Sequence, residues 1–309
     1  MQRLTLAGGI PDSLKGSIVA LGNFDGFHLG HQAVVGRAVA RAFHERRRVI
    51  VATFEPHPVR LFKPEVPPFR LTTLDQREQL FAHAGADAML VFEFDRQLAS
   101  MTAEDFVSEV LGQRIGAAGI VTGDDFSFGK GRAGDVALLK VLGAHQGIGA
   151  EAVPQVLLNG ERISSGRVRE ALVAGDTATA THMLSRDYAI EGVVQKGDAR
   201  GRALGYPTAN LELADYQRPK YGIYAVRVTL EDGNEHPGVA SLGVRPTFEP
   251  PKELLEAHLF GFDADLYGRK IEVALHAYIR EEKKFGYVAE LVAHMREDEA
   301  AARTLLAIE

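Results

Sequence analysis

The sequence contains no cysteine among its 309 residues. Disulfides, thiolate metal ligands and thiol nucleophiles are therefore excluded together. An excess of positive charge is missing as well, because the formal net charge is −6. That charge argues against a protein that coats nucleic acid, and it indicates that the arginines act locally.

Long apolar stretches are also missing. No window approaches the ~20 apolar residues of a membrane span, and residues 1–6 lack the apolar core of a signal peptide. These features predict a cytoplasmic protein with no membrane partner and no nucleic-acid partner. The chain is long enough for two domains, and its sequence leaves open whether it forms a homo-oligomer.

Apolar runs rich in β-branched residues alternate with helical spacing in the first half of the chain. The runs predict strands at 17–21, 49–54, 89–94, 119–122 and 151–153, and the segments between them predict helices at 32–44, 74–83, 104–111 and 135–146. This alternation predicts a parallel sheet with helices on both faces. Ligands of such sheets bind at the carboxyl ends of the strands.

The pattern changes after about residue 186. Strand-like segments follow one another without helices between them, and an apolar stripe at the end predicts a closing helix; the segments are 188–194, 223–230, 239–244, 255–262 and 271–279. Successive strands predict an antiparallel sheet or a small barrel. We therefore predict an α/β domain at 1–186 and an all-β domain that ends in a helix at 187–309.

The most informative segment is GNFDGFHLGH at 22–31, between a predicted strand and a predicted helix. A helix N-terminus presents free N–H groups and the positive end of its dipole, both of which favour phosphate. His28 and His31 add two donors, and the glycines allow a phosphate to approach the backbone. The segment predicts a nucleotide triphosphate site, with a glycine turn and two solvated histidines as the alternative.

Two further segments end predicted strands of the first half. TFEPHP at 53–58 presents His57 on a backbone that two prolines restrain. TGDDFSFGKG at 122–131 offers Asp125 and Phe126 to a ribose, a base or a magnesium ion. A proline-braced surface loop and a solvated turn account for the same residues, so both interpretations stay open.

The segment ISSGRVR at 163–169 opens another predicted helix. Ser164 or Ser165 is a suitable N-cap. Arg167 and Arg169 place two guanidinium groups near the helix N-terminus, an arrangement that binds anions. A capped helix with two solvated arginines is the alternative.

In order and spacing, these segments resemble the adenylyltransferase half of the bifunctional bacterial riboflavin kinase/FAD synthetase family. The resemblance implies that His28 and His31 bind the phosphates of ATP and stabilise the transition state. It also implies a set of nucleotide-binding or flavin-binding residues: Asn23, Phe24, Asp25, Gly26, His57, Asp125, Phe126, Ser164, Arg167 and Arg169. Gly166 stands where the family usually has threonine, which puts the strength of adenylyl transfer in question.

A glycine-rich segment, GRALGYPTAN at 201–210, opens the second half. Thr208 and Asn210 lie two apart, so they point to one side of an extended chain. Hydroxyl and amide oxygens suit Mg²⁺, although a glycine-rich hairpin before an ordinary strand accounts for them equally well. The segment resembles the flavokinase signature of the same family. That resemblance implies Thr208 and Asn210 as Mg²⁺ ligands and Glu256 as the catalytic base, with further binding residues at Gly197, Arg202, Gly205 and Pro207.

The resemblance covers about residues 15–305. It implies a Rossmann-like nucleotidylyltransferase domain with a parallel sheet, followed by a small antiparallel β-barrel flavokinase domain. Riboflavin and FMN would be the substrates, with ATP and Mg²⁺ as cofactors. Three alternatives stay open: a nucleotidylyltransferase for another phosphate acceptor, a non-catalytic flavin-binding protein, and a kinase whose adenylyltransferase domain is inactive.

Overall fold

The computed structural model describes residues 1–196, 201, 204–245 and 252–308. The chain forms two compact units, Met1–Pro67 with Thr72–Ser164, and Pro68–Leu71 with Ser165–Glu309. The predicted domain boundary after residue 186 stays a prediction. Within the described ranges, no helix has both the length and the apolar character that a membrane crossing needs.

A six-stranded parallel sheet forms the centre of the first unit, as the alternating pattern predicts. Its strands are β1 (Gln2–Thr5), β2 (Ile18–Leu21), β3 (Val49–Glu55), β4 (Ala88–Glu93), β5 (Gly119–Gly123) and β6 (Gly149–Val153). Their order is β1-β4-β3-β2-β5-β6. The direction of strand addition reverses between β2 and β5, and the crevice at such a reversal is where open α/β sheets bind ligands.

Helices cover both faces of this sheet. They are α1 (Leu29–Glu45), α2 (Pro58–Phe62), α3 (Leu74–His83), α4 (Arg96–Ser100), α5 (Ala103–Asp105), a π-helix (Phe106–Ile115) and α6 (Val136–His145), with 3-10 turns at Asp12–Leu14 and Lys130–Arg132. The neighbouring residues Ile120 and Val121 are fully buried in different apolar clusters. The strands are therefore buried on both faces, which explains their continuous apolar sequences. A short hairpin, β7 (Leu157–Leu158) and β8 (Glu161–Arg162), follows the sheet.

The second unit is an antiparallel barrel that two helices precede and one helix follows along the chain. It contains α7 (Ser165–Ala174), α8 (Thr177–Leu184), β9 (Tyr188–Val193), β10 (Ala209–Glu212), β11 (Gly222–Thr229), β12 (Glu235–Arg245), β13 (Lys252–Leu259), β14 (Lys270–Arg280) and α9 (Val288–Leu305). The strand order is β10-β13-β12-β11-β14-β9. A bridge between Gln195 and Asn210 brings the two edge strands together, so the barrel is nearly closed. Both predicted fold classes are confirmed.

Gly222 is a position where this barrel has no room for a side chain. Its φ of 152° is unfavourable for other residues, and a Cβ there would overlap the backbone oxygen of Arg280 and lie 2.6 Å from the ring of Tyr278. We expect Gly222→Ala to destabilise the second unit by about 3 kcal/mol. Calorimetric unfolding measures this. Gly192→Ala is the control, because its Cβ would meet Leu211 at an ordinary 3.4 Å; equal unfolding temperatures for the two variants would contradict the prediction.

Candidate active sites

The two predicted catalytic histidines lie together where β2 leads into α1. His28 is the N-cap of α1, and its Nδ1 accepts a hydrogen bond from the backbone N–H of His31 at 3.4 Å. The two imidazole rings stack, with centroids 3.6 Å apart and planes 20° apart. Because Nδ1 of His28 accepts, the matching neutral tautomer carries its proton on Nε2, where it can be donated to a phosphate oxygen.

The loop that leads to these histidines is buried from residue 24 to residue 28 and is held by several contacts. The ring of Phe24 is 1% exposed and meets the ring of His31 edge-on, with centroids 5.3 Å apart. The carboxylate of Asp25 accepts hydrogen bonds from the backbone N–H and the hydroxyl of Thr72, at 3.0 and 3.3 Å. These contacts give Phe24 and Asp25 a part in holding the loop, a role that the motif alone does not indicate.

His57 and Ser164, two further predicted residues of the first unit, both lie beside the start of a helix. His57 caps α2, with its Nδ1 accepting from the N–H of Val59 at 3.3 Å. Ser164 follows Ile163, whose backbone oxygen would lie 3.8 Å from a Cβ at Gly30. The start of the ISSGRVR segment therefore lies against the first turn of α1.

The loop after β5 carries an ion pair that the motifs did not indicate. Asp125 pairs with Arg162, and both side chains are about half exposed, at 47% and 45%. Phe126 stacks on Phe128, with centroids 5.7 Å apart and planes 14° apart. Arg162 lies in the β7–β8 hairpin, outside the quoted motifs, so only the fold reveals it.

The two predicted arginines of the ISSGRVR segment belong to the second unit. Arg167 and Arg169 lie in the first turns of α7. Arg169 donates from Nε to the backbone oxygen of Phe69 at 2.7 Å, and its guanidinium lies 5.0 Å from the centre of that ring. Exposed Gly166 lies beside them in the same turn.

A cavity of about 800 Å³ opens in the second unit. Four predicted residues line it together: Pro207, Thr208, Asn210 and Glu256. Gly205 lies beside it with a φ of 85°, a left-handed conformation that glycine adopts readily. Gly197 and Arg202 lie outside the described residues.

Three polar residues form a row across neighbouring strands on the cavity wall. Asn210 of β10 is directly opposite Glu256 of β13, which is directly opposite Ser241 of β12. Directly opposed residues of antiparallel strands present their side chains on one face. The fold thus brings the predicted base beside the predicted metal ligand, although 46 positions separate them along the chain.

The side chain of Asn210 is suited to bind a cation. The residue is 6% exposed, and its Oδ1 has no hydrogen-bond partner in the part of the chain that the structure describes. A buried polar atom without a partner costs about 1–3 kcal/mol. Hard oxygen ligands suit Mg²⁺, so this amide and the hydroxyl of Thr208 fit that ion.

The cavity wall contains further polar pairs that the sequence did not indicate. Arg280 and Asp298 form a two-bond ion pair, at 2.7 and 2.6 Å, which ties β14 to α9. Nδ1 of His258 lies 2.8 Å from the backbone oxygen of Pro207. Burial, followed by the nearby Glu299 carboxylate, raises the pKa of the Tyr206 phenol. His258 therefore holds the segment before Thr208 through Pro207, and the phenol of Tyr206 is protonated at neutral pH.

Comparison with known proteins identifies a family for each half of the chain. Residues 10–167 match the FAD synthetase family, and residues 184–306 match the riboflavin kinase family. Similar curated proteins are named bifunctional riboflavin kinase/FMN adenylyltransferase. The Escherichia coli (strain K12) protein is 39% identical over 94% of this chain and 92% of its own, and the Pseudomonas fluorescens protein is 40% identical over 95% and 94%.

A solved structure shares the whole fold. The crystal structure named as a macrolide-efflux protein from Streptococcus pneumoniae superposes with a TM-score of 0.88 and is 30% identical, covering 98% of this chain and 99% of its own. The order of the two family matches agrees with the order of the two sites. The resemblance predicted from the motifs is confirmed, and this chain belongs to the family of bifunctional riboflavin kinases/FMN adenylyltransferases.

Proposed function

We propose that the protein phosphorylates riboflavin to FMN in the barrel unit and adenylylates FMN to FAD in the α/β unit. Each reaction uses ATP with Mg²⁺. The observation that carries the proposal is the row of Asn210, Glu256 and Ser241 on the wall of the 800 Å³ cavity. A family member that only bound flavin would not need a carboxylate beside an amide oxygen that has no hydrogen-bond partner among the described residues. Use of ATP and free flavins favours a cytoplasmic location.

In the barrel unit, Glu256 is the general base. Its carboxylate accepts the proton of the riboflavin 5′-hydroxyl as that oxygen attacks the γ-phosphorus of ATP and the bond to the β-phosphate oxygen breaks. Thr208 and Asn210 would hold the Mg²⁺, which supplies neutralising charge beside the phosphate oxygens. Because Glu256, Asn210 and Thr208 line one cavity, they can hold the reacting groups in alignment.

In the α/β unit, the stacked histidines bind the phosphates of ATP. The phosphate of FMN attacks the α-phosphorus, pyrophosphate leaves, and FAD is formed. Because the FMN phosphate is already ionised at neutral pH, the reaction needs no general base. Catalysis then comes from alignment and from donors aimed at the developing charge. The N-terminus of α1 and the Nε2 proton of His28 supply such donors.

Asn210→Ala should weaken the kinase without weakening the fold. We expect riboflavin phosphorylation to fall about tenfold, with a higher requirement for Mg²⁺. Because Oδ1 has no partner within the described residues, its removal leaves no broken hydrogen bond at that atom. Magnesium titrations of the initial rate, together with calorimetric unfolding, test this. An unchanged magnesium requirement would remove Asn210 from the proposed metal site.

The first experiment is a chromatographic time course with riboflavin, ATP and Mg²⁺. We expect FMN to rise and then to be converted to FAD. FMN that accumulates without FAD would show that the α/β unit is inactive, and Gly166→Thr would then be the next variant. No product at all would overturn the proposal in favour of a flavin-binding protein.

A further inference from the structure

The loop at residues 22–28, here called the histidine loop, contains two phenylalanines in a backbone conformation that residues with a side chain rarely adopt. Phe24 and Phe27 have φ angles of 47° and 45°, in the left-handed region that costs an ordinary residue about 1–2 kcal/mol. Such conformations persist where the surrounding structure determines them. The loop therefore depends on contacts from elsewhere in the first unit.

The segment that leads into α3 holds the second half of the loop. The backbone N–H of Thr72 donates to Oδ1 of Asp25 at 3.0 Å, and the N–H of Gly26 donates to Oγ1 of Thr72 at 2.9 Å. Asp25 and Thr72 are 4% and 3% exposed, so water competes little for these bonds. The rings of Phe24 and Phe27 also pack edge-on against Phe81 of α3, at 5.8 and 5.1 Å.

Arg77 of α3 holds the first half of the loop through Thr53. Its Nη1 donates to Oγ1 of Thr53 at 3.1 Å, and its Nη2 donates to Oε2 of Glu55 at 2.6 Å. The hydroxyl of Thr53 in turn donates to the backbone oxygen of Asn23 at 2.7 Å. Arginine only donates and a carbonyl only accepts, so the hydroxyl has a single orientation. Arg77 and Thr53 are 3% and 0% exposed.

We propose that Thr53 and Arg77 are positioning residues for adenylyl transfer. They act through the carbonyl of Asn23, which fixes the start of the loop that ends at His28 and His31. The inference rests on the proposed function of the first unit. Without this hydrogen bond, Phe24 and Phe27 can leave the left-handed conformation and the loop shifts. A shift of about 1 Å in the groups that donate to the phosphates lowers the rate by up to about 100-fold.

Thr53→Val tests the proposal because it keeps the shape of the side chain and removes only the hydroxyl. We expect kcat for FMN adenylylation to fall about 30-fold, with KM for ATP changed less than about threefold. Amide hydrogen exchange in residues 22–31 should become about tenfold faster. Thr53→Ser retains the hydroxyl, and it should restore both quantities to within about threefold of the wild type.

Ser17→Ala is the matched control. The hydroxyl of Ser17 is also buried and also donates to a backbone oxygen, that of Leu14 at 2.6 Å, but Ser17 directly precedes β2 at the amino end of the sheet, opposite to the end at which the histidine loop begins. This variant should keep adenylylation and loop exchange within about twofold of the wild type. Riboflavin phosphorylation by each variant reports on the intact second unit.

Two results would overturn the proposal. One is Thr53→Val with unchanged adenylylation, whatever its exchange. The other is a parallel loss of both activities, which would indicate general unfolding. If the wild type makes no FAD, the proposed function of the first unit fails. The exchange measurement then tests the attachment alone, and unchanged exchange in residues 22–31 of Thr53→Val would show that Thr53 does not hold the loop.

Discussion

Glu256→Gln should abolish FMN formation while conversion of FMN to FAD continues. Glutamine keeps the size of the side chain and its place opposite Asn210 and Ser241, but it cannot accept the hydroxyl proton. Loss of a general base costs about 100- to 10,000-fold. Steady-state assays of the two half-reactions, with riboflavin or FMN supplied separately, measure the two effects in one preparation.

Glu235→Gln is the control for that variant. Glu235 lies on β12 of the same barrel, pairs with Arg227 at the surface, and does not line the cavity. Its substitution should leave both half-reactions within about twofold of the wild type. Kinase activity that survives Glu256→Gln would remove Glu256 from the role of base, and loss of both half-reactions would point to misfolding.

Local sequence patterns predicted the long elements of the fold well. The helix predicted at 74–83 is observed at Leu74–His83, because Thr73 and Gln76 form a capping box that defines its start. The strand predicted at 255–262 ends earlier, at Leu259, because Phe260 and Gly261 turn the chain. Such turns are decided by a single glycine φ angle, which apolar periodicity does not report.

Elements that depend on distant partners were not predictable. Strand β1 (Gln2–Thr5) is short and mostly exposed, and it exists because it pairs in parallel with β4, about 86 positions along the chain. The π-helix at Phe106–Ile115 has a different period from the α-helix that the spacing predicts at 104–111. The pairing partner of β1 has no local signature, and apolar spacing over eight residues does not distinguish the two helical periods.

The same limit applies to the candidate sites. The motifs supplied His28, His31, Asn210 and Glu256, since each lies in a short segment whose residue types carry the chemistry. Thr53 contacts the histidine segment across 30 positions, and Arg77 contacts Thr53 across 24. Thr53 opens the TFEPHP segment, but that segment does not indicate its hydrogen bond to Asn23, and Arg77 lies outside every quoted segment, so only the fold identifies their roles.

His28→Asn should abolish FAD formation while FMN formation continues. His28→Ala would also remove the N-cap of α1, at a cost of about 1 kcal/mol, whereas asparagine is a good N-cap and isolates the loss of the imidazole. Removal of one donor that stabilises a transition state costs about 100- to 1000-fold. His44→Asn, in the exposed last turn of the same helix, is the matched control and should leave both half-reactions unchanged. FAD synthesis within about fivefold of the wild type in His28→Asn would show that the stacked histidines do not bind the reacting phosphates.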